Sequence, residues 1–259
     1  MHPIKIAFFD IDGTLIDTEK KQITARTVEV LRRLQEKGIR ICLATGRAPM
    51  ELPKIEGVRF DAYLTYNGSY CYTAEGQTIF SNPLRPEDVQ VVLKNAAGMG
   101  RPMMVATKDR LAANGRDRDL VDYAAIAKIE VQVADDFDEL LHQTIYQIMV
   151  GGREDTYPAL MKDTHHAKIA AWWDRATDII PADGGKGRGI GKMLEYYGFD
   201  KAEAIAFGDG NNDIEMLQAV GTGVAMANGS EKLKAVATTI CGSCAEDGVY
   251  HYCVEQGLI

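Results

Sequence analysis

Asp10 and Asp12 stand two residues apart in the stretch Ala7-Phe-Phe-Asp-Ile-Asp-Gly-Thr-Leu-Ile-Asp17, directly behind an apolar run. Two carboxylates this close repel each other and compete for water, so the pair calls for positive charge nearby. Three further polar clusters follow along the chain: Thr45-Gly46-Arg47, Lys186 within Gly-Gly-Lys-Gly-Arg-Gly, and Gly208-Asp209-Gly-Asn-Asn-Asp213. Asp10, Asp209 and Asp213 offer hard oxygen ligands suited to Mg²⁺, which keeps several waters and binds through a few carboxylates and a phosphate. Such a cation cancels the repulsion among the acids and lets an anionic phosphate approach an anionic nucleophile. Lys186 would neutralise further charge, while the Thr45 hydroxyl and loop N–H groups, Gly46 among them, would hold phosphoryl oxygens. One carboxylate of the pair can attack to give an aspartyl-phosphate. Its neighbour can protonate the leaving oxygen and then activate water. Residues two apart on a strand share a side. The spacing therefore expects an extended chain through Asp12, so that both acids serve one phosphate in turn.

Taken singly, each cluster has a plainer reading. Asp-x-Asp-Gly is common turn and cap chemistry, Thr45 can be a helix N-cap, and a lone lysine is usually solvated. The acidic loop from Asp209 fails the calcium-loop pattern, with Ile214 where Gly is required and Val220 where Glu is required. Gly191-Lys192 is followed by Met193, and Lys186 occupies the position of the first P-loop glycine, so this is not a P-loop. Asp17 lies beyond the turn and reads as a loop residue.

Short βαβ units must position these groups. Ile4–Phe9 reads as a strand covered on both faces. Thr24 can cap a helix with Val28, Leu31 and Leu34 inward, ended by Gly38. Ile39–Ala44 and Asp61–Thr65 are further strands, followed by a turn at Asn67-Gly68. The same order returns late. A helix carries Ile190, Met193, Leu194 and Tyr197, then come a strand at Ala204–Phe207, a helix at Asp213–Val220, a strand at Gly223–Met226 and a helix from Ser230. The fold class expected is α/β, a doubly wound, mostly parallel Rossmann-like sheet. Ser81-Asn82-Pro83-Leu84-Arg85-Pro86 and Pro181-Ala182-Asp183-Gly184-Gly185 read as linkers that could form a hinge. They bracket a smaller inserted α+β domain with a helix at Pro86–Ala97, a strand at Met103–Ala106, a helix near Phe137–His142 and strands at Ile145–Val150 and Lys168–Trp173. The expected division is core 1–82, inserted domain 83–181 and core 182–259. In an open sheet, ligands bind beyond the carboxyl ends of the strands, where all four clusters would converge.

The chain has 259 residues, 46% hydrophobic and 25% charged, with a net charge of −8. This is ordinary globular composition, and the negative balance argues against a nucleic-acid or anionic-membrane surface. No apolar run approaches a membrane span, and no signal peptide is evident at the start. Five cysteines, an odd number, do not form a disulfide framework, which points to a reducing cytoplasm.

With these residues in view, the sequence resembles the haloacid dehalogenase (HAD) superfamily. More narrowly it resembles the Cof-type sugar-phosphate phosphatases with an inserted type IIB α/β cap. The motifs are Asp10-x-Asp12-Gly-Thr, Ala44-Thr-Gly-Arg47, Lys186-Gly187 and Gly-Asp209-Gly-Asn-Asn-Asp213, supported by Thr65-Tyr-Asn-Gly68, Ala225-Met-Ala-Asn228 and Glu246-Asp-Gly-Val249. The resemblance implies a Mg²⁺-dependent phosphatase of small phosphorylated metabolites, sugar phosphates foremost. It implies Asp10 as nucleophile and Asp12 as general acid/base, with the Asp12 carbonyl also on the metal. Thr45, Gly46 and Lys186 would bind the phosphoryl group, with Asn212 reaching it. Asp209 would be a metal ligand, and Asp213 one directly or through water. Asn67 would lie near the substrate entrance, and Arg47 fits a salt-bridge partner or a substrate contact equally. Phosphomannomutases share this core and cap type, so a phosphohexomutase is the alternative enzyme. A non-enzymatic metabolite-binding protein would be expected to lack one of the acids.

Other candidates carry less. Cys241, Cys244, His251 and Cys253 could be drawn as a zinc site, but helix residues two apart point in different directions. His165-His166 reads as loop. Trp172-Trp173 alternates across a strand, one ring packing inward and the other free to stack on a sugar.

Overall fold

The structure, a computed structural model, describes residues 3–126 and 129–259, without the side chain of Trp172, so the expectation for that ring lies outside the described residues. In chain order the first segment holds β1 (Ile6–Phe9), α1 (Ala25–Glu36), β2 (Arg40–Ala44), β3 (Ala62–Thr65), β4 (Tyr70–Thr73) and β5 (Thr78–Ser81). The middle holds α2 (Pro86–Gly98), β6 (Met103–Ala106), β7 (Leu111–Ala113), α3 (Arg118–Ile126), α4 (Phe137–Leu140), β8 (Gln147–Gly151), α5 (Tyr157–Leu160), β9 (Ala167–Trp173) and β10 (Ala176–Pro181). The last segment holds α6 (Lys186–Tyr197), β11 (Ala204–Gly208), α7 (Ile214–Gln218), β12 (Thr222–Met226), α8 (Glu231–Val236), β13 (Thr239–Cys241) and α9 (Gly248–Glu255).

The chain divides into two compact units. The larger comprises the chain up to Thr45 with Pro53–Phe80 and Lys186–Ile259; the smaller comprises Gly46–Leu52 and Ser81–Gly185. The larger is built on an eight-stranded sheet of order β13-β12-β11-β1-β2-β3-β4-β5. β1 pairs in parallel with both β2 and β11, and the parallel run continues through β3 on one side and β12 and β13 on the other. β4 turns back antiparallel on β3. This is the doubly wound class read from the sequence. Every residue of β1 is buried because both of its faces are covered. Ile6, Phe8, Ala44 and Ala206 pack with Ile190, Met193 and Leu194 of α6 and Met216 of α7. Phe9 stacks on Phe207 at 5.2 Å, and Tyr252 of α9 meets Phe207 edge-on.

The helix signals act locally as expected. The Thr24 side chain accepts from the Thr27 amide to cap α1, and Ser230 accepts from the Leu233 amide to cap α8. On α1 the inward residues are Thr27, Val30, Leu31 and Leu34, while Val28 is only half-buried. The helix phase is thus turned from the one expected, with Val30 taking the inward place. The helix expected over Asp213–Val220 is a 3-10 turn at Asn211–Asp213 followed by the short α7. The polar tract there spends its amides on the Asp213 side chain.

The smaller unit is a five-stranded sheet of order β7-β6-β8-β10-β9, antiparallel throughout. Val89, Val92 and Ala96 of α2 pack with Met103, Val105, Ile148, Val150 and Ile179 of the strands. Pro181, read as linker, ends β10 instead, opposite Ala167. As the terminal residue of a strand it gives up little of the ladder. His165 and His166 donate their backbone amides to the buried Asp88 carboxylate, so they lie in a tied-down loop.

Candidate active site

β1, β2 and β11 run in parallel, so Asp10, Thr45 and Asp209 emerge from the same edge of the sheet. Asp10 still belongs to the ladder, its amide donating to the Phe207 carbonyl at 3.0 Å. The extended chain expected through Asp12 ends there. The amides of Leu15 and Ile16 both turn back onto the Ile11 carbonyl at 3.0 and 2.8 Å, and Gly13 sits at φ +87°. Asp12 therefore lies in a tight turn, bridged to Ile16. It remains close enough for its charge to act on Asp10.

That turn packs against the Asp209 loop. A side chain at Gly13 would put its first carbon 2.2 Å from Asp209 Oδ2, so only glycine allows the approach. Thr14 Oγ1 donates to Asp209 Oδ1 at 3.1 Å. The Asp209 carbonyl accepts from the Ser230 amide, joining the start of α8 to the loop.

Lys186, on the first turn of α6, is fully buried. Its Nζ donates to Asp10 Oδ1 at 2.6 Å and to Asp213 Oδ1 at 2.5 Å. The other Asp213 oxygen accepts from the amides of Asp209 and Gly210 at 2.9 and 3.0 Å. Asp213 thus ties the lysine to the loop that carries Asp209.

The charge balance is uneven. Burial pushes the Asp10 carboxyl up to about 7 against the pull of Lys186, with Asp213 and Asp12 adding repulsion. Burial, and then the charges of Asp10 and Asp213, hold Asp209 well above the usual carboxylate range despite Thr14 and Lys186. Burial opposes the charge on Lys186, yet the two carboxylates outweigh it and keep its ammonium above its ordinary value. Asp10, Asp209 and Asp213 each bring one oxygen into a group lying within 4.8 Å of one another. With all three carboxylates ionised, one ammonium would leave two negative charges, which a divalent cation would balance. The all-oxygen donor set suits a hard ion.

On the neighbouring strand ends, the buried Thr45 donates its amide to the Leu64 carbonyl and accepts from the Asn67 amide at 3.0 Å. Asn67 is buried in the left-handed conformation, and its Oδ1 accepts from Asn212 Nδ2 at 3.0 Å. These contacts gather Thr45, Asn67 and Asn212 into one group. Gly46 and Arg47 count with the smaller unit. There the Gly46 carbonyl accepts from Gln147 Nε2, and Arg47 Nη1 donates to the Glu51 carbonyl at 3.1 Å. Asp17 stays out of the acid group, accepting the amides of Glu19 and Lys20.

Three residues here carry contacts that the sequence reading did not assign: Gly13, Thr14 and Asn228. The first two were signalled by Asp-Gly-Thr, a turn followed by a hydroxyl. Asn228 closes the Ala225-Met-Ala-Asn228 segment, but its partners, the Gly13 carbonyl and the Cys244 amide, lie 215 and 16 positions away, so the segment gave no sign of them.

An acid pair at the end of the central strand of a doubly wound sheet, with a buried lysine between two of the site's carboxylates, defines a hydrolase of the HAD type. The chain belongs to the haloacid dehalogenase-like hydrolase family, whose model matches residues 7–253, and it is a phosphatase of that family. It is similar to YkrA of Bacillus subtilis (strain 168), 31% identical with 98% of each chain covered. It is also similar to the HMP-PP phosphatase of Klebsiella pneumoniae (strain 342), 28% identical over 96% of this chain and 94% of the other. Among solved structures, a HAD phosphatase from Bacteroides thetaiotaomicron superposes with a TM-score of 0.91 at 27% identity, covering 100% of this chain and 97% of that one. A subclass IIB sugar phosphatase gives a TM-score of 0.88, also at 27% identity, covering 98% and 100%.

Proposed function

We propose that the protein is a Mg²⁺-dependent phosphatase of small phosphorylated metabolites, sugar phosphates foremost, working through an aspartyl-phosphate on Asp10. The observation that carries this is the buried Lys186 bound to Asp10 and Asp213, with Asp10 and Asp209 still short of positive charge.

In this reading, Asp10, Asp209 and the Asp12 carbonyl would hold the cation. Asp213 would act through water, since one of its oxygens takes two backbone amides and the other takes Lys186. When bound, Mg²⁺ supplies the charge that offsets the acids and the incoming phosphate. Lys186 holds Asp10 by Oδ1, the oxygen that would also face the cation, leaving Oδ2 to attack phosphorus as the ester P–O bond breaks. Asp12 gives its proton to the leaving oxygen and later takes one from the water that hydrolyses the acyl phosphate. Thr45 and Asn212, joined through Asn67, present a hydroxyl and an amide to the phosphoryl oxygens. The inserted domain, residues 83–181, is assigned the choice among substrates. The names of the relatives, which include an HMP-PP phosphatase and a sugar phosphatase, support a small phosphorylated substrate. The five free thiols, all buried, fit the reducing cytoplasm to which we assign the protein.

The purified protein should release inorganic phosphate from p-nitrophenyl phosphate with Mg²⁺, stop on adding EDTA and resume with excess Mg²⁺. Turnover indifferent to chelation would overturn the metal assignment. A panel of phosphorylated metabolites then ranks substrates, and isomerised hexose phosphate without phosphate release would favour a mutase.

A further inference from the structure

Asn228 follows β12 and has no place in the reaction as described. Its Nδ2 donates to the Gly13 carbonyl at 2.8 Å, and its Oδ1 accepts from the Cys244 amide at 2.8 Å. A carbonyl can only accept and an amide N–H can only donate, so these two partners fix the orientation of the side-chain amide. One end of the residue is held by the turn before α9, and the other grips the peptide of the turn that carries Asp12.

From the proposed reading of the site, we infer that Asn228 is a positioning residue that sets the cation-binding geometry by holding the Gly13 peptide against Asp209. Gly13 touches the Asp209 carboxylate so closely that no side chain fits between them, and Thr14 adds a hydrogen bond to Asp209 Oδ1. Regular strand pairing ends at Asp10. The position of the Gly13-Thr14 peptide therefore rests on the turn's own bonds and on Asn228. Loss of the Asn228 donor frees the Gly13 carbonyl to tilt, and with it the Asp12 carbonyl one peptide earlier and the hydroxyl that orients Asp209. Partners of this kind, which hold ligands without touching the metal, are typically worth about 10- to 100-fold in affinity or activity.

The Cys244 side of the contact supplies the anchor. Asp247, three residues on, accepts from the Thr24 hydroxyl at 2.5 Å and pairs with Arg26. The Gly248 backbone packs directly on Gly242. The turn that holds Oδ1 is thus fastened to the N-terminus of α1 and does not depend on the cation.

The test compares wild type, Asn228→Ala and Asn228→Asp by isothermal titration with MgCl₂ and by the Mg²⁺-induced shift in melting temperature, alongside kcat and KM for p-nitrophenyl phosphate at saturating Mg²⁺. Asn228→Asp keeps the acceptor for Cys244 and loses the donor to Gly13. By charge alone, an added carboxylate beside the acids would tighten Mg²⁺ binding, so the two explanations predict opposite signs. The expected result is Mg²⁺ binding weaker by about 10-fold or more in both variants, with far-UV circular dichroism unchanged and KM moving less than kcat. Mg²⁺ affinity in Asn228→Asp equal to or tighter than wild type would overturn the inference, and so would an Asn228→Ala within twofold of wild type. Should Asn228→Ala fail to fold, the sign of the Asn228→Asp effect decides. Wild-type protein that binds no Mg²⁺ would instead defeat the reading of the site, a result visible before either variant is measured.

Discussion

Lys186 donates to two carboxylates with no exposure to water, so its ammonium has exchanged its hydration for Asp10 and Asp213. Removing one partner of such a group leaves an uncompensated buried charge and costs about 3–5 kcal/mol. Lys186→Ala should therefore lower the unfolding free energy of the chelated protein, read from urea melts, by that amount, and an unchanged value would contradict the pairing. Asp10→Asn separates chemistry from folding: phosphate release should fall at least ~10³-fold while the fold persists. The pH dependence has a definite sign. Asp10 titrates at about 7 in the folded state against 3.8 when unfolded, so between these values the folded state binds more protons. The Asp10 contribution to stability in EDTA thus declines as pH rises from 4 to 7. Asp10→Asn should remove that part of the slope; a variant with the wild-type slope would show that Asp10 is not the group responsible.

The Asp10–Ile16 turn is the element that departs most from the sequence reading. Apolar residues and alternating carboxylates look like a continuing strand, whereas the amides of Leu15 and Ile16 close onto Ile11 instead. That closure needs Gly13 at positive φ beside Asp209, a partner 196 positions away whose approach no local pattern shows. Two glycines make the contrast testable. Gly38, behind α1, has φ +78° and open space around it, so Gly38→Ala should cost about 1–2 kcal/mol and leave turnover unchanged. Gly13→Ala meets the Asp209 carboxylate as well and should lose activity by at least ~10-fold. Thermal melts with p-nitrophenyl phosphate assays on both variants check this, and equal activity losses would sink the distinction. By comparison, α1 is legible because Thr24 and Gly38 mark its ends chemically; Leu31 and Leu34 face inward as expected, and Val30 takes the place expected of Val28 because the two are equally apolar.

At the scale of the molecule, the cysteines show what burial does to reactive groups. Cys241 approaches Met226 Sδ at 3.4 Å, and burial pushes Cys241, Cys244 and Cys253 up to about 12. At pH 8 their thiolate fractions are therefore very small. Native protein should react with Ellman's reagent far more slowly than a model thiol, and all five thiols should react at once in guanidinium. Rapid labelling of the native chain would contradict this burial. Cys241 lies on β13, Cys244 on a 3-10 turn and Cys253 inside α9, so a spacing that resembles a metal motif is spread over different elements.

The sequence by itself determined the chemistry available. It supplied the acid pair, the lysine, the acidic loop, the alternation of strands and helices that puts their carriers in one parallel sheet, and the motifs that mark the family. Those are properties of residue type and local period, which act over a few positions. Only the tertiary structure decided that Asp213 serves Lys186 and two backbone amides, that Asp12 sits in a turn, and that Asn228 grips Gly13. Each of these joins distant segments or depends on where the backbone stops being extended. The Lys186–Asp213 and Asn228–Gly13 bonds form only when segments far apart in the chain are brought side by side.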